Sequence, residues 1–176
     1  MENFIGRMLR AAKLDVSLYE EVEADEGALP QATLVVVLSS IAAGVGGIFT
    51  YGFMAIITFT ISALVSWYIW AFLTYYIGTK FLPEQKTEAD YGQLLRTLGF
   101  ASTPGIIRII GIIPGFLGII NFIASIWMLV TMVIAVRQAL DYESTLRAVV
   151  VCVIGWIIQW LVIMIFYALF GISFSL

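Results

Sequence analysis

The chain of 176 residues is 61% hydrophobic and 12% charged, with a mean hydropathy of +1.01 and a net charge of −3. Soluble globular domains carry about twice that share of charge, so this is the composition of a membrane protein. The absence of histidine excludes His-based zinc sites, Ser-His triads and histidine proton relays, and nine basic residues against twelve acids argue against nucleic acid. A single cysteine, Cys152, leaves no pairing within the chain.

Met1–Lys13 has the pattern of an amphipathic helix. At 100° per residue Phe4, Ile5, Met8, Leu9 and Ala12 share one arc, and Arg7, Arg10 and Lys13 lie outside it. Such a helix either lies in the headgroup plane with its basic residues toward anionic lipid, or packs on the protein's own cytoplasmic face. Asp15–Glu26 is rich in acids and is expected to be a solvated connector.

Three runs lack Asp, Glu, Lys and Arg: Gly27–Thr79 (53 residues), Ile109–Val136 (28) and Ala148–Leu176 (29). A membrane-crossing helix needs about 20 apolar residues, so the first run holds two spans. They are expected at about Ala32–Ile48 and Phe53–Tyr76, with a break near Gly44, Gly46 and Gly47. Ser39, Ala43 and Gly47 form a small-residue face open to another helix. Trp67, Tyr68, Trp70, Tyr75 and Tyr76 have the character of an interfacial aromatic belt rather than of a ligand box.

Lys80–Arg96 is the main polar loop. Within it Thr87 is expected to cap a helix with Asp90 at its third position, and Tyr91, Leu94, Leu95 and Leu98 follow at helical spacing. That helix is expected to skim the membrane. Leu98–Ile113 is interrupted by Pro104-Gly105 and closed by Pro114-Gly115. It is either a span that borrows residues from Leu94 onward or a short re-entrant element. Leu117–Val136 and Ala148–Phe170 are the fourth and fifth spans, and a brief apolar tail follows.

With the N-terminus inside, every loop Lys and Arg falls on the cytoplasmic side, as do all twelve acids. The ninth basic residue, Arg108, is within a span. A cation there costs roughly 2.5–3.5 kcal/mol on insertion scales, which makes it a candidate site. Its expected partners are carbonyls freed by Pro104 and Pro114, Asn121, or a lipid phosphate. A structural clamp on a broken helix is the first expectation and a substrate site the second. Asn121 with Ser125, and Ser62 with Ser66, are polar pairs one turn apart that line a path or bond between helices. The spans contain no His, Lys, Asp or Glu to act as a base for a nucleophile or to bind a coupling ion. No catalytic group, metal or cofactor is expected.

Three stretches resemble the prokaryotic branch of the Yip1 family. They are LRAAKLDVSLYEEVEAD (Leu9–Asp25), LLRTLGFASTPGIIRIIGIIPG (Leu94–Gly115) and IWMLVTMVIAVRQALDY (Ile126–Tyr142). The most specific parts are the Gly99-Phe100-Ala101…Pro104 turn and Trp127…Ala135-Val136-Arg137-Gln138-Ala139. The resemblance implies five spans, a cytoplasmic N-terminus and an extracytoplasmic C-terminus. Eukaryotic relatives are linked to vesicle trafficking, and some associate with prenylated Rab GTPases and with one another. Their cytoplasmic Asp-Leu-Tyr-Gly-Pro motif is matched here only at Leu18 and Tyr19, within Ser17-Leu18-Tyr19-Glu20-Glu21, which speaks against GTPase binding.

The sequence therefore points to an all-α polytopic membrane bundle. A cytoplasmic amphipathic helix and acidic connector occupy 1–30, and a five-span domain occupies 31–176 of a multi-pass protein in the prokaryotic plasma membrane. The expected role is non-enzymatic: a scaffold or adaptor that organises membrane through self-association or another membrane protein. The alternatives are a small-molecule or lipid transporter using the broken third span, and an accessory subunit of a larger complex.

Overall fold

The computed structural model describes residues 4–170, and in the last helix the side chains only to residue 161 and at Met164. Residues 1–3 of the N-terminal helix expectation and the apolar tail at 171–176 lie outside the described residues. The elements are α1 (Phe4–Ala12), α2 (Val16–Ala24), α3 (Leu29–Gly46), α4 (Ile48–Tyr51), α5 (Met54–Tyr76), α6 (Tyr91–Ala101), a 3-10 helix (Thr103–Ile112), α7 (Leu117–Ala139) and α8 (Thr145–Phe170). No strand occurs among the described residues. Glu26–Gly46, Met54–Phe81 and Leu117–Ala139 are each long and apolar enough to cross a membrane, and Thr145–Leu161 is a shorter apolar helix.

The long apolar runs become α3, α5 and α7 within a few residues of their expected bounds. Pro30 sits in the first turn of α3, where its missing N–H costs nothing. The helix continues through Gly44 and ends at Gly46 with Gly47 as its cap, so the break begins at the last of the three expected glycines and runs to Gly52, whose φ of 76° only glycine adopts freely. Gly44 and Gly46 serve close approach instead. A Cβ at Gly44 would lie 2.6 Å from the Ile56 backbone, and one at Gly46 would lie 1.9 Å from the Arg108 carbonyl oxygen.

That last contact belongs to the tightest packing in the molecule, between α3 and the 3-10 helix. Ser39 meets Gly105 there: a Cβ on Gly105 would be 2.0 Å from the Ser39 hydroxyl. Of the small-residue face, Ser39 is thus met by the 3-10 helix, while Ala43 lines a cavity and Gly47 caps α3. Ten residues is long for a 3-10 helix, which rises about 2.0 Å per residue against 1.5 Å for an α-helix. The stretched, slimmer helix lets Thr103–Ile112 lie between α3 and α7 along most of the bundle.

α6 is not a membrane-skimming helix. Leu94 through Ala101 are all buried, because α1, α2, α3, α5 and α7 surround them. The cap lies three residues after the expected one. Asp90, not Thr87, is the N-cap: its carboxylate accepts the Gln93 N–H at 2.9 Å, and Gln93 Oε1 accepts the Asp90 N–H at 2.5 Å. This exchange satisfies two donors that a helix start leaves free. Thr87 instead accepts the Glu84 N–H within the preceding turn.

The aromatic cluster divides. Trp67 and Trp70 are 6% exposed and belong to the core, with Trp67 Nε1 donating to the Leu95 carbonyl at 3.2 Å. Tyr68 and Tyr76 remain exposed, as a belt residue would. Outward-facing Ile57, Ile61, Ile69, Phe122, Ile126 and Ile157 give the bundle the apolar surface that a bilayer covers.

Candidate functional site

Two places gather polar chemistry: a cavity that opens on the side of the bundle, where Ser62, Ser66 and Trp156 are exposed, and a charged layer at the end formed by α1, α2 and the start of α6.

The cavity, about 440 Å³, is bounded by α3, α5, α6, α7, α8 and the 3-10 helix. Ser39 and Ser40 come from α3, Ser62 and Ser66 from α5, and Met128 and Met132 from α7. Trp67 and Trp70 supply aromatic wall, and among the described residues Arg108 is the only charged one in the lining. Its backbone sits against Gly46, the last residue of α3, while its guanidinium Nη2 donates to Ser125 Oγ at 3.4 Å. Ser125 is eight residues inside α7. At 1.5 Å per residue this bond lies about 12 Å along α7 from its first residue, at a hydroxyl exposed on the helix surface.

The expected clamp is absent. Pro104 leaves the Phe100 carbonyl without its helical donor, but Thr103 Oγ1 donates to it at 2.7 Å. Pro114 does the same to Ile110, whose carbonyl accepts the Ile113 N–H at 3.1 Å. Thr131 Oγ1 further donates to the Ala101 carbonyl at 2.7 Å. Local hydroxyls and a turn thus repair the broken helix without Arg108. Pro104 is buried at the start of the 3-10 helix, and Asn121, one turn before Ser125, has no side-chain hydrogen bond among the described residues. The structure brings Arg108 to Ser125 and not to Asn121.

The charged layer reverses the expectation for Asp15–Glu26. α2 is a docked helix, not a connector. Asp15 caps it through the Ser17 N–H at 3.0 Å, and Leu18, Tyr19 and Val22 fall on one fully buried face. Arg96, 7% exposed on α6, holds the other end: its Nε donates to the Val22 carbonyl at 3.0 Å and its Nη2 to the Glu23 carbonyl. These are carbonyls of the last turn, which lack helical donors and lie at the negative end of the helix dipole. Tyr19 is core, its hydroxyl 3.4 Å from the Ala11 carbonyl; Glu20 is exposed and accepts Gln138 Nε2 at 2.9 Å.

α1 packs on α2, α6 and the 3-10 helix. Arg7 turns inward, bonding Glu21 at 2.9 Å, Asp25 at 2.8 Å and Gln31 at 3.1 Å. Arg10 pairs with Asp15 at 2.7 Å and Glu21 at 2.6 Å. These two arginines are occupied by carboxylates of the chain, so they are not free for anionic lipid. Ile5 and Leu9 face outward at 60% and 56% exposure. Trp127 Nε1 closes the helix by donating to the Ala12 carbonyl at 2.8 Å. Arg96 and Trp127 are the positioning residues that sequence reasoning missed; the signal for Arg96 was a lone cation in the apolar stretch Leu94–Ala101.

Glu23 sits where burial and the nearby Asp141 push its carboxyl up to about 7, with Glu20 and Asp90 adding and Arg96 opposing. A folded-state value above the ordinary 4.5 means folding favours the protonated acid, so this contribution fades as pH rises from 4.5 to 7. Asp25 is shifted down by its bond to Arg7; burial pushes Glu21 up, but Arg10 and Arg7 together bring it below its ordinary value, and both contributions are lost below about pH 4. Thermal stability should therefore be higher near about pH 5.5 than near about pH 8. Glu23→Gln should raise Tm by a few degrees at the higher pH, about 1 kcal/mol after solvent screening, and change little at the lower. Equal Tm gains at both pH values would contradict this.

Among known families, the Yip1 domain matches residues 18–173. No curated protein matches the chain, and neither does any solved structure. The matched region begins at Leu18 on α2, takes in α6, Arg96, Pro104, Arg108 and Trp127, and runs through α8, so both the cavity and most of the charged layer lie within it. The chain belongs to the Yip1 domain family and is an integral membrane protein.

Proposed function

We propose that the protein is a non-enzymatic membrane scaffold or adaptor that gathers a partner membrane protein, or further copies of itself, at the charged layer. The observation that carries this reading is the docking of α1 and α2 as a rigid platform on α6 and α7. Arg7, Arg10, Arg96 and Arg137 are all engaged by acceptors of the chain itself. Exposed Glu26, Glu88, Asp90 and Asp141 then leave that surface acidic. An acidic, pre-ordered surface suits a basic cytoplasmic segment of a partner, since charge complementarity speeds encounter and fixes register. Leu18 and Tyr19, the only positions shared with the eukaryotic GTPase-associated motif, are buried, which speaks further against a GTPase there.

The reading places five spans in the prokaryotic plasma membrane, with α6 and the 3-10 helix together as the third. The platform is then cytoplasmic and the C-terminus extracytoplasmic. A reporter fused at Leu176 should be extracytoplasmic and one in the 80–90 loop cytoplasmic; a cytoplasmic C-terminal reporter would refute the odd number of spans. Purification of the full chain in mild detergent, after crosslinking in the membrane, tests the scaffold itself. A homo-oligomer or a defined hetero-complex that high salt weakens is expected. A monomer with no crosslinked partner would overturn the reading.

A further inference from the structure

We propose that the bundle cavity binds one phosphate-headed membrane lipid, its phosphate on Arg108 and its hydrocarbon against Trp67, Trp70 and Met128. Three observations carry this beyond the scaffold reading, on which it does not depend.

The first is charge. Arg108 has no ion-pair partner among the described residues, and its one hydrogen bond, to Ser125, is long at 3.4 Å. A guanidinium carries five N–H donors in a planar fork that matches two oxygens of a phosphate. The cavity lining holds no carboxylate, so the site has a net positive charge and selects an anion. The second is placement. The bond to the exposed Ser125 holds the guanidinium about 12 Å along α7 from the end of the helix, at a depth below the bundle rim, so a headgroup anion must come to it there. In hydrocarbon a cation left alone is costly, and the repaired carbonyls of Phe100 and Ile110 offer it nothing.

The third is the wall. Ser62 and Ser66 present hydroxyls to the cavity from α5, one turn apart, and Trp70 Nε1 is the buried side-chain donor left without a partner among the described residues. The rest of the lining is mainly apolar. A cavity of about 440 Å³ is of ligand size, and donors grouped with an apolar wall fit an amphiphile better than a free ion.

The test is thermal unfolding of the purified full chain in mild detergent with three probes: phosphatidylglycerol, diacylglycerol and inorganic phosphate. A ligand that binds only the folded state raises Tm as its concentration passes Kd. Phosphatidylglycerol should raise Tm by several degrees and saturate at one molecule per chain. Diacylglycerol, which lacks the phosphate, and inorganic phosphate, which lacks the tails, should each give less than half that shift. Arg108→Gln should weaken phosphatidylglycerol at least tenfold, and Arg108→Lys should retain part of the affinity as a single-point cation. Ser66→Trp, at a position exposed to the cavity, fills the space while keeping Arg108 and should also remove the shift. If Arg108→Gln does not fold, Ser66→Trp decides. An undiminished shift in Ser66→Trp or in folded Arg108→Gln would place the lipid on the outer surface and overturn the proposal. An equal shift from inorganic phosphate would make the site one for a soluble anion, and an equal shift from diacylglycerol would remove any role for the phosphate; either overturns it.

Discussion

Gly46→Ala should abolish the tight seating of the 3-10 helix on α3 and cost about 3 kcal/mol or more. The added Cβ would stand 1.9 Å from the Arg108 carbonyl oxygen and 3.0 Å from its carbonyl carbon. Both are backbone atoms, so no side-chain rotation relieves the clash. The two elements must separate, and overpacking that moves backbone lies at or above the usual 1–3 kcal/mol. Separation also loosens Gly105 against Ser39 and Gly111 against Gly46. The matched control is Gly118→Ala on α7, where a Cβ meets nothing within 4 Å. Alanine there should be neutral or stabilise by about 0.5–1 kcal/mol through helix propensity. Tm in detergent reads both, and a Gly46→Ala protein as stable as Gly118→Ala would refute the close approach.

Arg96→Met should release the C-terminal end of α2 at a cost of about 2–4 kcal/mol. The methionine fills much of the arginine stem's volume but leaves the carbonyls of Val22 and Glu23 without donors, at roughly 1–3 kcal/mol for each buried acceptor. Arg96→Lys should be intermediate, because one flexible ammonium cannot reproduce a planar fork. The loss should also carry a pH signature. Arg96 lowers the Glu23 carboxyl, so without it Glu23 should stay protonated to higher pH. A Tm for Arg96→Met within 1 °C of wild type would mean that α2 is held by its apolar face alone.

What was legible in the sequence followed the length of the apolar runs. α3, α5 and α7 emerge close to their expected bounds because about 20 uncharged apolar residues have few other structures in a bilayer. α2 was hidden because its buried face is only Leu18, Tyr19 and Val22 among acids, three positions that a charge run masks. Thr87 and Asp90 each have a polar residue three positions on, and only the geometry of Gln93, which donates its N–H and accepts at its side chain, makes Asp90 the cap. Arg108 was visible as an isolated cation, yet its expected role failed on a detail of local chemistry: the hydroxyl of Thr103 reaches the Phe100 carbonyl first. Trp67 and Trp70 have belt chemistry in one dimension and core positions in three, since Trp67 is met by Leu95 of α6, 28 residues on, and Trp70 by Gly155 of α8. The cavity has no signature in the sequence at all, because five helices and the 3-10 helix each contribute only one to six residues to it.

The scaffold reading depends on α1 and α2 being a docked platform rather than a tether, and hydrogen exchange over residues 16–24 in the intact protein tests that most directly. The account predicts amides protected nearly as well as those of α6, with the protection lost in Arg96→Met while α3 and α7 keep theirs. Exchange over 16–24 at the rate of an unfolded chain in the wild-type protein would contradict it.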